Sequence, residues 1–196
     1  MSKRVVRVTH SFAYMLHSVP WRETSLLIQV FSRDHGIVAL VAKGAKRPYS
    51  SLRTILAGFQ PLLLSWSGAG EVKTLTRADN AGLRPLSGRA LMSAWYMNEL
   101  LLYLLPREDP HPTLFEAYDD ALIQLAAGAG AASALRRFEW VLLHETGYGL
   151  DMEPPDFDDP ALEPQLRRSL RERIDTLLVG RPLRTRAVLM ALQRLR

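Results

Sequence analysis

The hydrophobic residues of the first 80 positions fall in short runs with a period near two, a pattern typical of β-strands with a buried face. Glycine, proline and polar turn residues separate these runs. Five strands are predicted, over residues 5–16, 26–31, 37–42, 61–66 and 71–76. Residues 17–22, which include Pro20, are predicted to be a connection.

No helix long enough for a parallel crossover separates these strands, which disfavours a parallel sheet. A small antiparallel barrel, closed or nearly closed, is favoured instead. Five strands with a break between the third and the fourth are the pattern of an OB-fold. An SH3-like barrel fits the strand spacing nearly as well.

After residue 79 the hydrophobic period lengthens to about 3.6 residues, which predicts helices. The first begins after Ser87 and ends at Pro106, the second begins at Thr113 and ends at Gly128, and the third covers residues 135–146. Gly147 is well placed to end the third helix. Apolar residues at helical spacing mark two more helices: Leu166, Leu170, Ile174 and Leu177, then Val188, Leu189, Leu192 and Leu195.

We therefore predict an α+β protein in two domains. A five-stranded antiparallel OB-fold barrel covers residues 1–80, and an all-α helical bundle covers residues 81–196. Residues 151–160 (DMEPPDFDDP) are acidic, rich in proline and aperiodic, so they are predicted to be an exposed linker.

The net charge of +5 conceals a strong asymmetry along the chain. Residues 1–80 carry 11 Lys and Arg against 4 Asp and Glu, residues 99–160 carry 3 against 13, and residues 161–196 carry 9 against 3. Such basic segments are typical of proteins with a polyanionic partner. The acidic middle also offers internal partners for neighbouring cations, and the sequence leaves both interpretations open.

No reaction chemistry is indicated by the sequence. The five histidines share no i,i+4 spacing, and no nucleophile motif or phosphate-binding glycine loop is present, so no catalytic residue, cofactor or metal is predicted. Because the chain has no cysteine, disulfides and thiolate metal sites are excluded. No run approaches about 18 apolar residues and no apolar leader is present, so a cytoplasmic location without membrane contact is expected.

A basic loop after the third strand is the main binding feature of the sequence. Lys46 and Arg47 have no acidic neighbour, while Gly44 frees the backbone and Pro48 stiffens it. OB-folds hold single strands with cations that follow the nucleic-acid backbone and aromatic rings that stack on bases. The predicted DNA-binding residues are the cations and aromatics of the barrel: Trp21, Arg22, Arg33, Lys43, Lys46, Arg47, Tyr49, Arg53, Lys73 and Arg77. Trp66 has apolar neighbours in sequence and is predicted to lie in the core.

Two arginines near the start of the third helix stand out in an acidic region. Arg136 and Arg137 are placed to receive a carboxylate from a partner. Salt bridges to Glu139 or to the acidic linker explain them equally well, and the sequence does not decide between these interpretations.

Taken together, the segments resemble the RecO family of DNA repair and recombination mediators. Six stretches in order carry the resemblance: HSVPWRETSLLIQVFSRDHG (17–36), LVAKGAKRP (40–48), FQPLLLSWSGAGEVKTL (59–75), PLSGRALMSAWYMNELL (85–101), ALRRFEWVLLHETGYG (134–149) and GRPLRTR (180–186). The resemblance implies binding of single- and double-stranded DNA, annealing of complementary strands, and loading of RecA recombinase together with RecR. It also implies that the acidic C-terminal tail of single-stranded-DNA-binding protein docks on the helical domain, in a bacterial cytoplasm and in association with the nucleoid.

The resemblance places the tail site on Arg136 in LRRFE and on Arg184 in GRPLRTR. The predicted tail-binding residues are Leu135, Arg136, Leu142, Arg184 and Arg186. Family members are usually longer between the third helix and GRPLRTR, and some carry a four-cysteine zinc finger there. This chain has only DMEPPDFDDP and no cysteine, so zinc is not expected.

The hypothesis from the sequence is therefore a non-enzymatic DNA repair mediator. The alternative is a non-catalytic adaptor whose barrel binds another protein or structured RNA.

Overall fold

The computed structural model describes residues 5–128 and 130–188. The chain divides into two compact units: a barrel unit of Met1–Arg84 and Leu105–Pro112, and a helical unit of Pro85–Leu104 and Thr113–Arg196. Across the part of the chain that the structure describes, no helix is both long enough and apolar enough to cross a membrane.

Five strands and one short helix form the barrel unit. They are β1 (Val6–Trp21), β2 (Ser25–Ser32), β3 (Gly36–Ala42), α1 (Ser51–Ile55), β4 (Pro61–Gly68) and β5 (Val72–Asn80). The hydrogen-bonded order is β1-β2-β3-β5-β4, and β4 also pairs with β1, so the strands form a closed barrel. Because α1 fills the break between the third and fourth strands, the architecture agrees with the predicted OB-fold.

One strand pairing differs from the prediction of a wholly antiparallel barrel. β3 and β5 run parallel, with Ala39 opposite Val72 and Val41 opposite Thr74, whereas the other four pairings are antiparallel. Strand directions cannot alternate all the way around a closed ring with an odd number of members. A closed five-stranded barrel must therefore contain at least one parallel pair, and the antiparallel prediction was wrong at this pair.

β1 is longer than the sequence predicts. It continues through residues 17–21, which were predicted to be a connection, and pairs with β2 as far as Trp21 opposite Ser25. Its pairing with β4 stops at Tyr14, so the later part of β1 has a partner strand on one side only. Pro20 is tolerated there, because proline has no N–H and suits strand positions that lack a second partner.

The barrel core is one cluster of buried apolar side chains. Ile28, Leu40, Leu62, Leu64 and Trp66 are each at most 1% exposed, so Trp66 is a core residue as predicted. Burying an aliphatic side chain of this size stabilises the fold by about 2 kcal/mol.

Leu105–Pro112 packs against the turn between β2 and β3. The Glu108 N–H donates a hydrogen bond to the Ile37 carbonyl (3.1 Å). Gly36 has a φ of +64°, and a Cβ at this position would overlap the backbone of Asp109. Only glycine fits both the backbone conformation and the close approach.

Four helices of the helical unit lie entirely within the described residues, in the region where the 3.6-residue period predicts helices. They are α2 (Gly88–Leu104), α3 (Pro112–Ala127), α4 (Ala131–Glu145) and α5 (Glu163–Leu177). α4 packs against both α2 and α5. A buried hydrogen bond from Tyr118 to Asn98 (2.6 Å) joins α3 to α2.

The C-terminus of α4 has a Schellman motif, as the position of Gly147 predicts. Gly147 has a φ of +80° and donates its N–H to the carbonyl of His144 (3.0 Å), while the Tyr148 N–H donates to Leu143 (2.7 Å). Residues 151–160 contain turns but no helix or strand.

The fifth predicted helix is described only at its start. Residues 184–188 are helical, whereas Leu189, Leu192 and Leu195 lie outside the described residues.

Candidate nucleic-acid interface

Two loops of the barrel lie side by side at one end of the sheet. Residues 22–24 join β1 to β2, and the basic loop, residues 43–50, follows β3. Because the start of β2 pairs with the end of β3, both loops emerge at the same end. The Lys46 N–H donates a hydrogen bond to the Thr24 carbonyl (2.9 Å), which holds one loop against the other.

Four basic side chains of these loops form what we call the loop-end surface: Arg22, Lys43, Lys46 and Arg47. All four are exposed, and none of them forms an ion pair within residues 5–128 and 130–188. Three of them line a depression of about 460 Å³, whose lining includes a single carboxylate, that of Glu23. Unpaired cations around one depression suit a ligand that carries several negative charges.

The basic loop is a succession of turns rather than an extended segment. Gly44 has a φ of +72°, the Arg47 N–H donates to the Gly44 carbonyl (3.1 Å), and the Ser50 N–H donates to Arg47 (3.1 Å). α1 follows directly and exposes Arg53. These hydrogen bonds therefore fix the points at which the basic side chains of the loop leave the main chain.

Two of the predicted aromatic contacts are exposed near the same loops. The side chain of Trp21 is 44% exposed and lines the same depression, while that of Tyr49 is fully exposed. Exposed rings beside cations are suited to stacking on nucleic-acid bases.

Arg33 lies elsewhere on the barrel. It is in the turn between β2 and β3, at the opposite end of this hairpin from Lys43. Seven residues of strand separate the two ends, which is about 23 Å.

Two other predicted DNA-binding residues have carboxylate partners. Lys73 is 5% exposed, and its ammonium group forms an ion pair with Glu108. Arg77 is exposed but donates from Nε to Asp79 (2.7 Å). The hydrogen bond raises the pKa of Arg77 and lowers that of Asp79. Lys73 and Arg77 therefore each have a carboxylate partner within the chain already.

Arg136, predicted for tail binding, is buried in the helical unit. Its side chain pairs with Glu139 (Nε to Oε2, 2.8 Å) and lies near Glu163 of α5 (3.4 Å). Burial raises the pKa of the Glu139 carboxyl, although the positive charge of Arg136 opposes that rise. Arg136 is thus already bound to carboxylates in this structure.

Arg186 approaches the same buried group from another segment. Tyr96 donates its hydroxyl to Glu139 (2.7 Å), and burial followed by the Glu139 charge raises the pKa of Tyr96 well above its usual value. Arg186 interacts with Tyr96 and forms an ion pair with Asp175. The positive charges of Arg136 and Arg186 therefore both oppose the rise in the pKa of Tyr96 and of Glu139.

The other predicted tail-binding residues differ in exposure. Arg184 is exposed and has no ion pair in the described residues, while its N–H donates to Glu99 (2.6 Å). Leu142 is fully buried and Leu135 is half-buried. Arg184 is thus the predicted residue most accessible to a partner.

Comparison with known proteins matches both units to one family. The family model named Recombination protein O N terminal matches residues 6–83, and the family model named Recombination protein O C terminal matches residues 85–153. The chain belongs to the recombination protein O (RecO) family. The resemblance found in the sequence is confirmed.

Three relatives of this RecO-family chain are each named DNA repair protein RecO. The protein from Aromatoleum aromaticum is 60% identical over 148 residues, which cover 75% of this chain and 62% of the relative. The protein from Azoarcus sp. is 55% identical over 147 residues, covering 74% and 60%. The protein from Ralstonia nicotianae is 45% identical over 235 positions, covering 96% and 86%.

The chain spans about three fifths of the length of the first two relatives. In the Ralstonia nicotianae alignment, 96% of 196 residues is about 188, so about 47 of the 235 positions have no residue in this chain. The C-terminal family model ends at residue 153, inside the acidic segment. Relatives with additional residues agree with the sequence expectation that family members are usually longer.

The sequence of this RecO-family chain did not reveal several long-range partners of the predicted site residues and of their neighbours. Glu108 binds Lys73, Glu99 binds the backbone of Arg184 and Thr185, and Tyr96 binds Glu139. These partners lie 35 to 86 residues apart in sequence, so no local pattern connects them. In the described residues no cluster of three His, Asp or Glu side chains is placed to hold a metal.

Proposed function

We propose that this RecO-family chain is a non-enzymatic DNA repair and recombination mediator. It binds single- and double-stranded DNA, anneals complementary strands, and acts with RecR to load recombinase onto strands coated by single-stranded-DNA-binding protein. Membership of the family and the name shared by its relatives support this role.

The observation that carries the proposal is the loop-end surface. Its four cations are exposed, unpaired among the described residues, and held by two hydrogen-bonded loops at one end of the barrel. Lys and Arg side chains that meet phosphates release the counterions condensed on DNA, which favours binding without regard to sequence. The same neutralisation reduces the repulsion between two complementary strands and so promotes annealing.

Base contacts in this proposal come from Trp21 and Tyr49. Stacking on an aromatic ring tolerates any base, so it supports binding to single strands without sequence preference. Arg53 extends the cationic surface along α1.

The test is to replace Lys43, Lys46, Arg47 and Arg53 with alanine. If each side chain contacts one phosphate, the four contacts together contribute about −3 to the slope of log K against log salt on single strands. The variant should lose this contribution, and its affinity for DNA should be about a hundredfold lower than that of the wild type near physiological salt. Filter binding at several salt concentrations, with single-stranded DNA of two sequences, measures both effects. Unchanged affinity, or a loss confined to one sequence, contradicts the proposal.

A matched pair of single variants is the control. Arg47→Ala removes an unpaired cation and should reduce the slope by about 0.7, whereas Arg77→Ala removes one already bound to Asp79 and should not change the slope. Tighter binding to structured RNA than to DNA in the same assay would favour the adaptor role instead.

We also propose that the helical unit docks the acidic tail of single-stranded-DNA-binding protein. Arg184 is exposed, and Arg136 and Arg186 act on the same Tyr96–Glu139 pair. Glu163 of α5 lies near Arg136, so this guanidinium already donates to a carboxylate from a second helix. A peptide carboxylate that takes the place of Glu163 would meet the same donor.

A further inference from the structure

The acidic segment after α4 places an aromatic ring on the outer face of that helix. The Phe157 ring lies edge-on to Trp140, with centroids 6.0 Å apart, and the guanidinium carbon of Arg137 lies 5.4 Å from the Phe157 centroid. Asp158, the next residue, pairs with Arg137 (3.7 Å). The Asp158 N–H donates to the Asp156 carboxylate (3.0 Å), which orders the turn that carries Phe157 and Asp158.

These contacts define what the face of α4 can recognise. Arg137 and Trp140 are three residues apart and therefore neighbours on one side of the helix, where Arg137 is half-exposed and Trp140 is buried. A cation over one ring face and an aromatic edge both favour an aromatic guest. The same guanidinium binds a carboxylate one residue further along. This pair of side chains therefore suits a ligand in which an aromatic residue is followed by an acidic one.

The ion pair between Arg137 and Asp158 contributes little energy and can open. Arg137 is 46% exposed and Asp158 is 71% exposed, and ion pairs this exposed contribute little to stability. The segment has no helix or strand to hold it in place. The neighbouring Arg136 is different, because it is buried and bound to Glu139.

We infer that Arg137 and Trp140 form a recognition site for an aromatic residue followed by a carboxylate, that Phe157 and Asp158 fill this site within the chain, and that an acidic–aromatic partner peptide displaces them. The inference rests on the proposed docking of an acidic tail, to which it adds two residues and a competing segment. The internal segment is tethered about 20 residues from Arg137, so its effective concentration at the site is on the order of millimolar. A free peptide must therefore compete with it, which lowers the apparent affinity of the peptide.

The test uses the full chain and two fluorescent peptides. One copies residues 153–161 (EPPDFDDPA) with an amidated C-terminus; the other is an acidic peptide that ends in Asp-Phe with a free carboxylate. Fluorescence anisotropy is measured for the wild type, Phe157→Ala, Phe157→Ala/Arg137→Ala, and the control Met152→Ala, an exposed residue of the same segment. Asp158→Asn is a milder second variant, and thermal unfolding checks that each variant folds.

Phe157→Ala should bind the amidated peptide about five- to tenfold more tightly than the wild type, because the internal competitor is weakened. Adding Arg137→Ala should abolish the gain, and Met152→Ala should behave as wild type. In the wild type, the peptide should also speed hydrogen exchange at the Asp158 amide. Equal affinity in wild type and Phe157→Ala, or a gain that survives Arg137→Ala, overturns the inference.

The two peptides separate this inference from the tail proposal. If the tail peptide binds but Phe157→Ala gives no gain for either peptide, the inference fails and tail docking stands. If the amidated peptide behaves as expected and the tail peptide binds no variant, the inference stands and tail docking fails. If neither peptide binds any variant, both are wrong.

Discussion

At the scale of single residues, Arg136 illustrates how burial raises the energetic cost of removing a charge. The sequence left a partner's carboxylate and Glu139 equally plausible as its counterion. In the structure Arg136 is 7% exposed and Glu139 is 3% exposed, and they pair at 2.8 Å. Removing one member of a buried ion pair leaves the other without compensation, which costs far more than losing an exposed pair.

We expect Arg136→Ala to destabilise the protein by about 3 kcal/mol at neutral pH. Burial raises the folded-state pKa of Glu139, and loss of the Arg136 charge raises it further. A carboxyl whose pKa is higher in the folded state costs stability above that pKa, and the cost is lost as pH falls below its unfolded value. The destabilisation, measured by chemical denaturation against wild type, should therefore be larger at about pH 7.5 than at about pH 5.

Two further variants control this experiment. Arg137→Ala removes a neighbouring arginine that is 46% exposed and should cost less than about 1 kcal/mol at either pH. Arg136→Ala/Glu139→Gln should lose the extra pH dependence, because a neutral amide does not titrate. A destabilisation by Arg136→Ala that is independent of pH would show that Glu139 is not the group left uncompensated.

At the scale of elements, local patterns predicted most of the fold. Strand and helix existence followed from apolar spacing, and Gly147 was assigned correctly because a helix C-terminus needs a local left-handed residue. Two errors share a non-local cause. Whether residues 17–21 form a strand depends on β2, and the parallel β3–β5 pair depends on closure of the whole ring. The division into a barrel domain of residues 1–80 and a helical domain of residues 81–196 stays a prediction.

We expect Gly147→Ala to destabilise the protein by about 1 kcal/mol. Its φ of +80° is unfavourable for alanine, and nothing lies within 4 Å of the added Cβ, so the cost is purely that of the backbone. Gly58 offers a matched control, because it has equal space for a Cβ but not a left-handed φ. Thermal unfolding of both variants separates the two cases: a loss of stability for Gly58→Ala as large as for Gly147→Ala would rule out a conformational origin.

At the scale of the whole molecule, the structure pairs some of the cations internally and leaves others without a partner among the described residues. Within the barrel unit Glu108 of the acidic middle neutralises Lys73, and within the helical unit Asp158 pairs with Arg137. The loop-end surface, by contrast, has no such partner among the described residues. Composition gave the excess of cations, but only tertiary structure separates the paired cations from the unpaired ones.

Strand annealing tests the two proposed surfaces in one assay, because we propose that only the loop-end surface contacts DNA directly. The alanine variant of Lys43, Lys46, Arg47 and Arg53 should slow annealing of bare and of protein-coated complementary strands, by about tenfold or more at physiological salt. Arg184→Ala should slow annealing only when single-stranded-DNA-binding protein coats the strands, since it removes an exposed cation of the tail site and leaves the barrel unchanged. Arg173→Ala, another exposed arginine of the helical unit, should have no effect in either case. If Arg184→Ala slowed annealing of bare strands, the helical unit itself would bind DNA. The assignment of DNA binding to the barrel alone would then be wrong.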